Sequence, residues 1–161
     1  MSIDSHTDRE TASRTGDHQA LRLWLRLLTC SQLIEREVRA RLGQRFDTTL
    51  PRFDLMSQLW RYRAGLKMNE LSRHLMVTGG NVTGIVDLLE KEGLVERTAE
   101  PDDRRAYRVR LTRAGRKAFA EMARAHEGWI VELLGGLSRK EQADTYRLLA
   151  RMKQVTMEAG S

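Results

Sequence analysis

The sequence predicts a mainly α-helical fold with one small β-hairpin, and three observations carry that prediction. Apolar residues recur at spacings of three and four over most of the chain. The spacing drops to two only across residues 94–111. Helix punctuation, with Ser, Thr or Pro before and Gly after, falls at the edges of the helical stretches.

Taken in order, residues 1–16 are polar and read as a frayed arm. From about Asp17 to Gly43 the pattern is helical, with one stripe of Leu21, Trp24, Leu25 and Leu28 and another of Leu23, Leu27, Cys30, Ile34 and Val38. A helix of that length would run roughly 40 Å, more than a globule of this size covers. Part of it is therefore expected to meet a second chain. A second helix follows Leu50, with Pro51 in its first turn, and stops near Ala64-Gly65. Its apolar face is Phe53, Met56, Leu59 and Trp60.

Two short helices come next, Met68 to Leu75 and Gly79 to Glu92. Thr78 is the expected N-cap of the second, and Gly93 its left-handed terminator. Val82, Ile85, Val86 and Leu89 form the buried face. Leu94–Arg97 and Tyr107–Leu111 then read as paired strands joined by a turn over 100–105. Thr112 caps a long helix ending at Gly135-Gly136, and Ser138 with Glu141 makes a capping box for the last helix. That helix carries Leu148, Leu149, Met152 and Val155.

The 161 residues hold 28 Lys and Arg against 22 Asp and Glu, a net charge of +6. Such a surplus favours a polyanionic partner. Residues 97–117 hold eight basic side chains and three acids, a net of +5 in 21 residues. No run approaches the roughly 18 apolar residues of a membrane span, so no membrane partner is expected. The N-terminus lacks the apolar stretch of a signal peptide, and Cys30 is the single cysteine. A cytoplasmic setting is expected.

Two short helices followed by a hairpin with a basic tip make a winged helix-turn-helix, and double-stranded DNA suits it. The second short helix opens on small polar residues that can enter a major groove about 12 Å wide, and its N-terminus favours phosphate. An arginine on a thin hairpin can reach a minor groove.

The run from Gly65 to Gly115, GLKMNELSRHLMVTGGNVTGIVDLLEKEGLVERTAEPDDRRAYRVRLTRAG, resembles the MarR family of transcriptional regulators. The likeness in helix order covers about residues 20–155, with motif-level identity over 50–115. Asp103-x-Arg105 and Val109-x-Leu111-Thr112 are its most recognisable part. The resemblance implies a homodimer, with 17–48 and 113–161 as a helical dimerisation module and 49–112 as the DNA-binding lobe. It also implies that Arg105 reaches a minor groove and that Asp103 braces the wing through a salt bridge. Lys67 departs from the Ser or Thr that often caps the first short helix.

The candidate DNA contacts are His74, Thr78, Gly79, Gly80, Asn81, Thr83, Arg104, Arg105 and Arg108. Arg97 reads equally well as a solubility residue on an exposed strand. Gly84 inside a helix costs about 1 kcal/mol against alanine, so it calls for close packing or close DNA approach. Trp24, Trp60 and Trp129 are most simply core. The resemblance further implies a small phenolic or aromatic acid, or its CoA thioester, that releases a repressor from a pseudo-palindromic operator. Trp60, Arg61 and Arg63 are the candidate wall of that site, an arginine fork matching a carboxylate bidentately.

Cys30 has two readings, a buried inert thiol and, by the resemblance, a redox sensor. A third alternative is a winged-helix protein-interaction module without DNA binding, whose wing would lose the cationic tip kept here by Arg104-Arg105. The four histidines, His6, His18, His74 and His126, lack metal-ligand spacing, so no metal site is expected. Gly79 to Gly84 matches G-x-x-x-x-G but is followed by Ile85-Val86 where a phosphate-binding loop needs Lys and Ser or Thr. No cofactor loop, paired carboxylates or nucleophile–base set points to an enzyme.

Overall fold

The computed structural model describes residues 18–75 and 81–160, the side chain of Arg104 excepted. The expected arm, 1–16, lies outside them. Two compact units divide inside a helix, between Ala123 and Arg124.

The first unit begins with α1, Gln19–Phe46, which runs past the expected stop at Gly43. Asp47 takes the left-handed conformation instead (φ 49°), and its amide donates to Gly43 O at 3.2 Å; a short polar side chain tolerates that backbone. Only Val38 and Leu42 of α1 are buried. Trp24, expected in the core, and Cys30, expected on a buried stripe, are both exposed in the single chain.

α2, Leu50–Arg61, is capped by Thr49, whose hydroxyl accepts the Arg52 amide at 3.4 Å, with Pro51 in the first turn. It ends three residues before the expected Ala64-Gly65. Leu55, Met56 and Leu59 are fully enclosed and form the centre of the core with Leu42, Leu71, Val86 and Leu89.

A two-residue strand follows, β1, Leu66–Lys67, which periodicity cannot register at that length. Then come α3, Met68–His74, and α4, Val82–Lys91. The hairpin is β2, Val95–Glu100, with β3, Asp103–Leu111. The expected two strands are therefore part of a three-stranded antiparallel sheet in the order β1-β3-β2. Leu66 pairs with Val109 on one side of β3, and Arg97 pairs with Val109 on the other. Both hairpin strands are longer than the alternation suggested, with a register shift between Ala99 and Glu100. Gly65 admits β1 to the sheet: its φ is +86°, and a Cβ there would fall 2.5 Å from Val109 O.

Thr112 closes the hairpin and opens α5, Arg113–Leu133. Its hydroxyl donates to Gly93 O at 2.7 Å and accepts the Gly115 amide at 3.0 Å. The second unit takes over inside α5 and contains α6, Arg139–Ala159. The expected capping box is present: the Ser138 amide donates to Glu141 Oε2 at 2.7 Å and the Glu141 amide donates to Ser138 Oγ at 3.2 Å. Gln142 Nε2 donates to Leu137 O at 3.0 Å and bridges the preceding turn. No residue of α6 is buried in the single chain.

The Ser138 hydroxyl, and then its amide, holds the Glu141 carboxyl below the usual carboxylate range. The folded state thus binds fewer protons, and the contribution is present above the unfolded value and lost as pH falls through the folded one. Glu141→Gln is expected to flatten the dependence of Tm on pH as pH falls through and below the ordinary carboxylate range. A curve that keeps the wild-type slope would show that the box contributes nothing.

Candidate nucleic-acid interface

α3 and α4 pack on each other, and α4 packs on β2, so helix pair and hairpin form one surface. Lys67 cannot cap α3 with an acceptor, but its amide donates to Glu70 Oε2 at 2.7 Å. That bond is the main reason the Glu70 carboxyl lies below its ordinary range. It fills half of a capping box and offsets the missing Ser or Thr.

The described start of α4 differs from the expected one. Asn81, with extended backbone, is the N-cap, and its Oδ1 accepts the Gly84 amide at 3.3 Å. Asparagine caps as well as serine or threonine, and the described helix begins at Val82. Thr78, Gly79 and Gly80 lie outside the described residues. Ile85, Val86 and Leu89 are buried, while Asn81, Thr83, Asp87, Leu88 and Lys91 are exposed. A Cβ on Gly84 would meet the Asn81 side chain at 3.5 Å, an ordinary contact, so packing among the described residues does not require glycine there. His74 is exposed, with its ring 5.1 Å from that of Tyr62.

The basic side chains of the hairpin divide into two groups. Arg97 binds both Asp87 and Glu90 of α4. Arg108 Nε donates to Glu100 Oε1 at 2.6 Å, and its Nη1 donates to Gly65 O at 2.9 Å. Arg110 pairs across the strands with Glu96 at 2.6 Å. These three are engaged inside the protein. Arg105 is exposed and makes no side-chain hydrogen bond or ion pair among the described residues. Asp103 Oδ1 accepts the Arg105 amide at 3.0 Å, so among described groups its brace is a bond to backbone where a salt bridge was expected.

The aromatic site is assembled differently from expectation. Trp60 is partly exposed, and its ring lies 5.4 Å from Phe119, which lies 5.4 Å from Phe53. Arg116, on α5, places its guanidinium 5.7 Å from the Trp60 centroid. Its Nη1 is buried with no hydrogen-bond partner among the described residues. Arg61 and Arg63 are exposed, and the guanidinium over Trp60 is that of Arg116. Sequence pattern gave no signal for Arg116, because its partner is 56 positions away.

No group of three or more His, Cys, Asp or Glu that could hold a metal occurs among the described residues. None of the described helices is long and apolar enough to cross a membrane.

Comparison with known proteins gives a consistent result. The model of the MarR family matches residues 48–107. The HTH-type transcriptional regulator PrsX of Escherichia coli is 38% identical over 95 residues, 56% of this chain and 57% of that protein. The chain thus spans little more than half of that relative. The transcriptional activatory protein BadR of Rhodopseudomonas palustris is 28% identical over 139 residues, 83% of this chain and 77% of that protein. The crystal structure of a MarR family transcriptional regulator from Silicibacter pomeroyi superposes with a TM-score of 0.77 at 31% identity, covering 88% of this chain and 99% of that one.

Proposed function

Because the chain belongs to the MarR family, a family of transcriptional regulators and not of enzymes, we propose that it is a sequence-specific DNA-binding regulator. The observation that carries the proposal is Arg105, exposed and unpaired among the described residues at the hairpin end, on a hairpin whose β2 strand packs against α4. In this reading α4 enters a major groove, where Asn81 and Thr83, with Thr78, Gly79 and Gly80 preceding them, meet base edges and phosphate. Gly84 has no packing need among the described residues, and its bare backbone permits close approach to the duplex. Arg105 and Arg104 reach a minor groove, and His74 lies near phosphate. Arg108, tied to Glu100 and Gly65, acts as a support for the wing more than as a contact.

The protein works as a homodimer on a pseudo-palindromic site, with half-sites about one helical turn apart. Supporting this are large apolar side chains left open in the single chain, among them Leu23 and Trp24 of α1 and Tyr146 (78% exposed), Leu148 and Met157 of α6. Exposed apolar surface of that extent marks an interface. We assign it a repressor's role, relieved by a small aromatic acid or its CoA thioester. The orphaned Arg116 Nη1 beside Trp60 supports a carboxylate-bearing aromatic ligand. Such a ligand shifts DNA affinity only by its preference for one of two states. Activation is the second reading, favoured by the likeness to BadR, a transcriptional activatory protein; in vitro transcription with and without the protein decides between them.

Titrating operator DNA at several salt concentrations tests the core of the proposal. Affinity is expected to fall about a thousand-fold or more between 50 and 200 mM salt, as counterion release requires when several phosphates are neutralised. A flat salt dependence would sink DNA binding and favour a protein-interaction module.

A further inference from the structure

Arg97 is the basic side chain of the hairpin that the sequence leaves undecided, and its surroundings resolve it. It stands on β2 two residues after Val95, on the same face of the strand, and Val95 is buried against the body of the protein. From that face its guanidinium reaches α4. Nη2 donates to Asp87 Oδ1, and Nη1 donates to Glu90 Oε2 at 2.5 Å. The two acids are three residues apart, so they share one side of the helix. The Arg97 side chain is 24% exposed, whereas that of Asp87 is 57% exposed. The carboxylates raise the affinity of Arg97 for its proton, Asp87 first.

Without Arg97, α4 would carry Asp87 and Glu90 against Lys91, a net negative element. Such a helix repels the polyanion it is meant to enter. The helix is otherwise anchored by its apolar face and, at its C-terminal end, by the ion pair of Arg52 with Glu92. Loss of Arg97 would leave that anchorage intact and remove only the side-chain clamp between β2 and α4.

We propose that Arg97 is a positioning residue for DNA recognition, which acts through Asp87 and Glu90 and does not itself touch the duplex. It fixes the base of the wing to the side of α4, so that groove helix and Arg105 approach the DNA at one separation. It also cancels one of the two carboxylate charges as phosphate draws near. The proposal rests on the DNA-binding reading above. Ion pairs this exposed add little to folding stability, so the effect belongs to binding and not to melting.

The experiment is a double-mutant cycle read by DNA affinity, with R97Q made in the wild type and in a D87N/E90Q background. R97Q alone is expected to weaken operator binding about ten-fold, with a small change in Tm. In the D87N/E90Q background the same change is expected to cost under about three-fold, because the groups through which it acts are gone. R97K, able to hold one acid, is expected to fall between. Hydrogen exchange of the hairpin amides in the free protein is expected to rise in R97Q, which reads the clamp without DNA. An equal loss in both backgrounds, with the salt slope reduced by about one, would overturn the proposal by showing a direct phosphate contact. So would an R97Q protein with unchanged affinity. A wild-type protein that binds no duplex overturns the DNA-binding reading itself, an outcome recognisable because the variants are then not the cause.

Discussion

Gly115→Ala is expected to destabilise the protein by about 3 kcal/mol, lowering Tm by roughly 6–12 °C at this chain length. A Cβ at Gly115 would stand 1.9 Å from Leu94 O and 3.2 Å from a Leu111 methyl. The first atom is backbone, held in place because the same carbonyl accepts the Thr112 amide at 3.0 Å. Relief would require α5 to lift from the hairpin base, disturbing the Thr112 cap and its bonds to Gly93 and Gly115. The sign makes the test sharp. Helix propensity alone favours alanine over glycine by about 1 kcal/mol, so an unconstrained site would gain. Gly128, in the same helix with nothing within 4 Å of its would-be Cβ, supplies the comparison. Thermal melts of the two alanine variants should move in opposite directions. A Gly115→Ala protein as stable as wild type would mean that the close approach is not kept in solution.

Arg105→Ala is expected to weaken operator binding by about 1–3 kcal/mol, with dimer content and Tm unchanged. The side chain is exposed and unpaired among the described residues, so its removal leaves no buried partner stranded. That separates it from Arg97, Arg108 and Arg110, each of which is already paired with an acid of this chain. Fluorescence anisotropy on operator DNA, with sedimentation for oligomeric state, provides the measurement. Unchanged binding would remove Arg105 from the interface.

Sequence patterning revealed the helices and hairpin because each has a long apolar period or a cap of defined chemistry. The Ser138 and Thr112 caps and the α4 core face were legible in this way. β1 was not, since two residues carry no period, and neither was the left-handed Asp47 in place of a glycine. The α4 start was misjudged between two good capping residues, Thr78 and Asn81, a choice that backbone geometry makes and composition does not. At the candidate interface, residue type identified the basic hairpin but not how its charge is divided. Arg97 and Arg108 find partners 7 to 43 positions away, distances that only the folded chain closes. The exposure of Cys30 and Trp24 has the same origin: an apolar stripe does not say whether its cover comes from the same polypeptide.

The anchoring of Arg108 to Glu100 and to Gly65 O sets a mechanical limit on the hairpin. Arg105 lies three residues beyond that fixed point, an overhang of about 10 Å at strand spacing. A cantilever so short flexes little at its free end. Any signal that retracts or advances the fingertip must therefore act at its root, where β1 meets β3 beside Gly65 and where β2 meets α4 through Arg97.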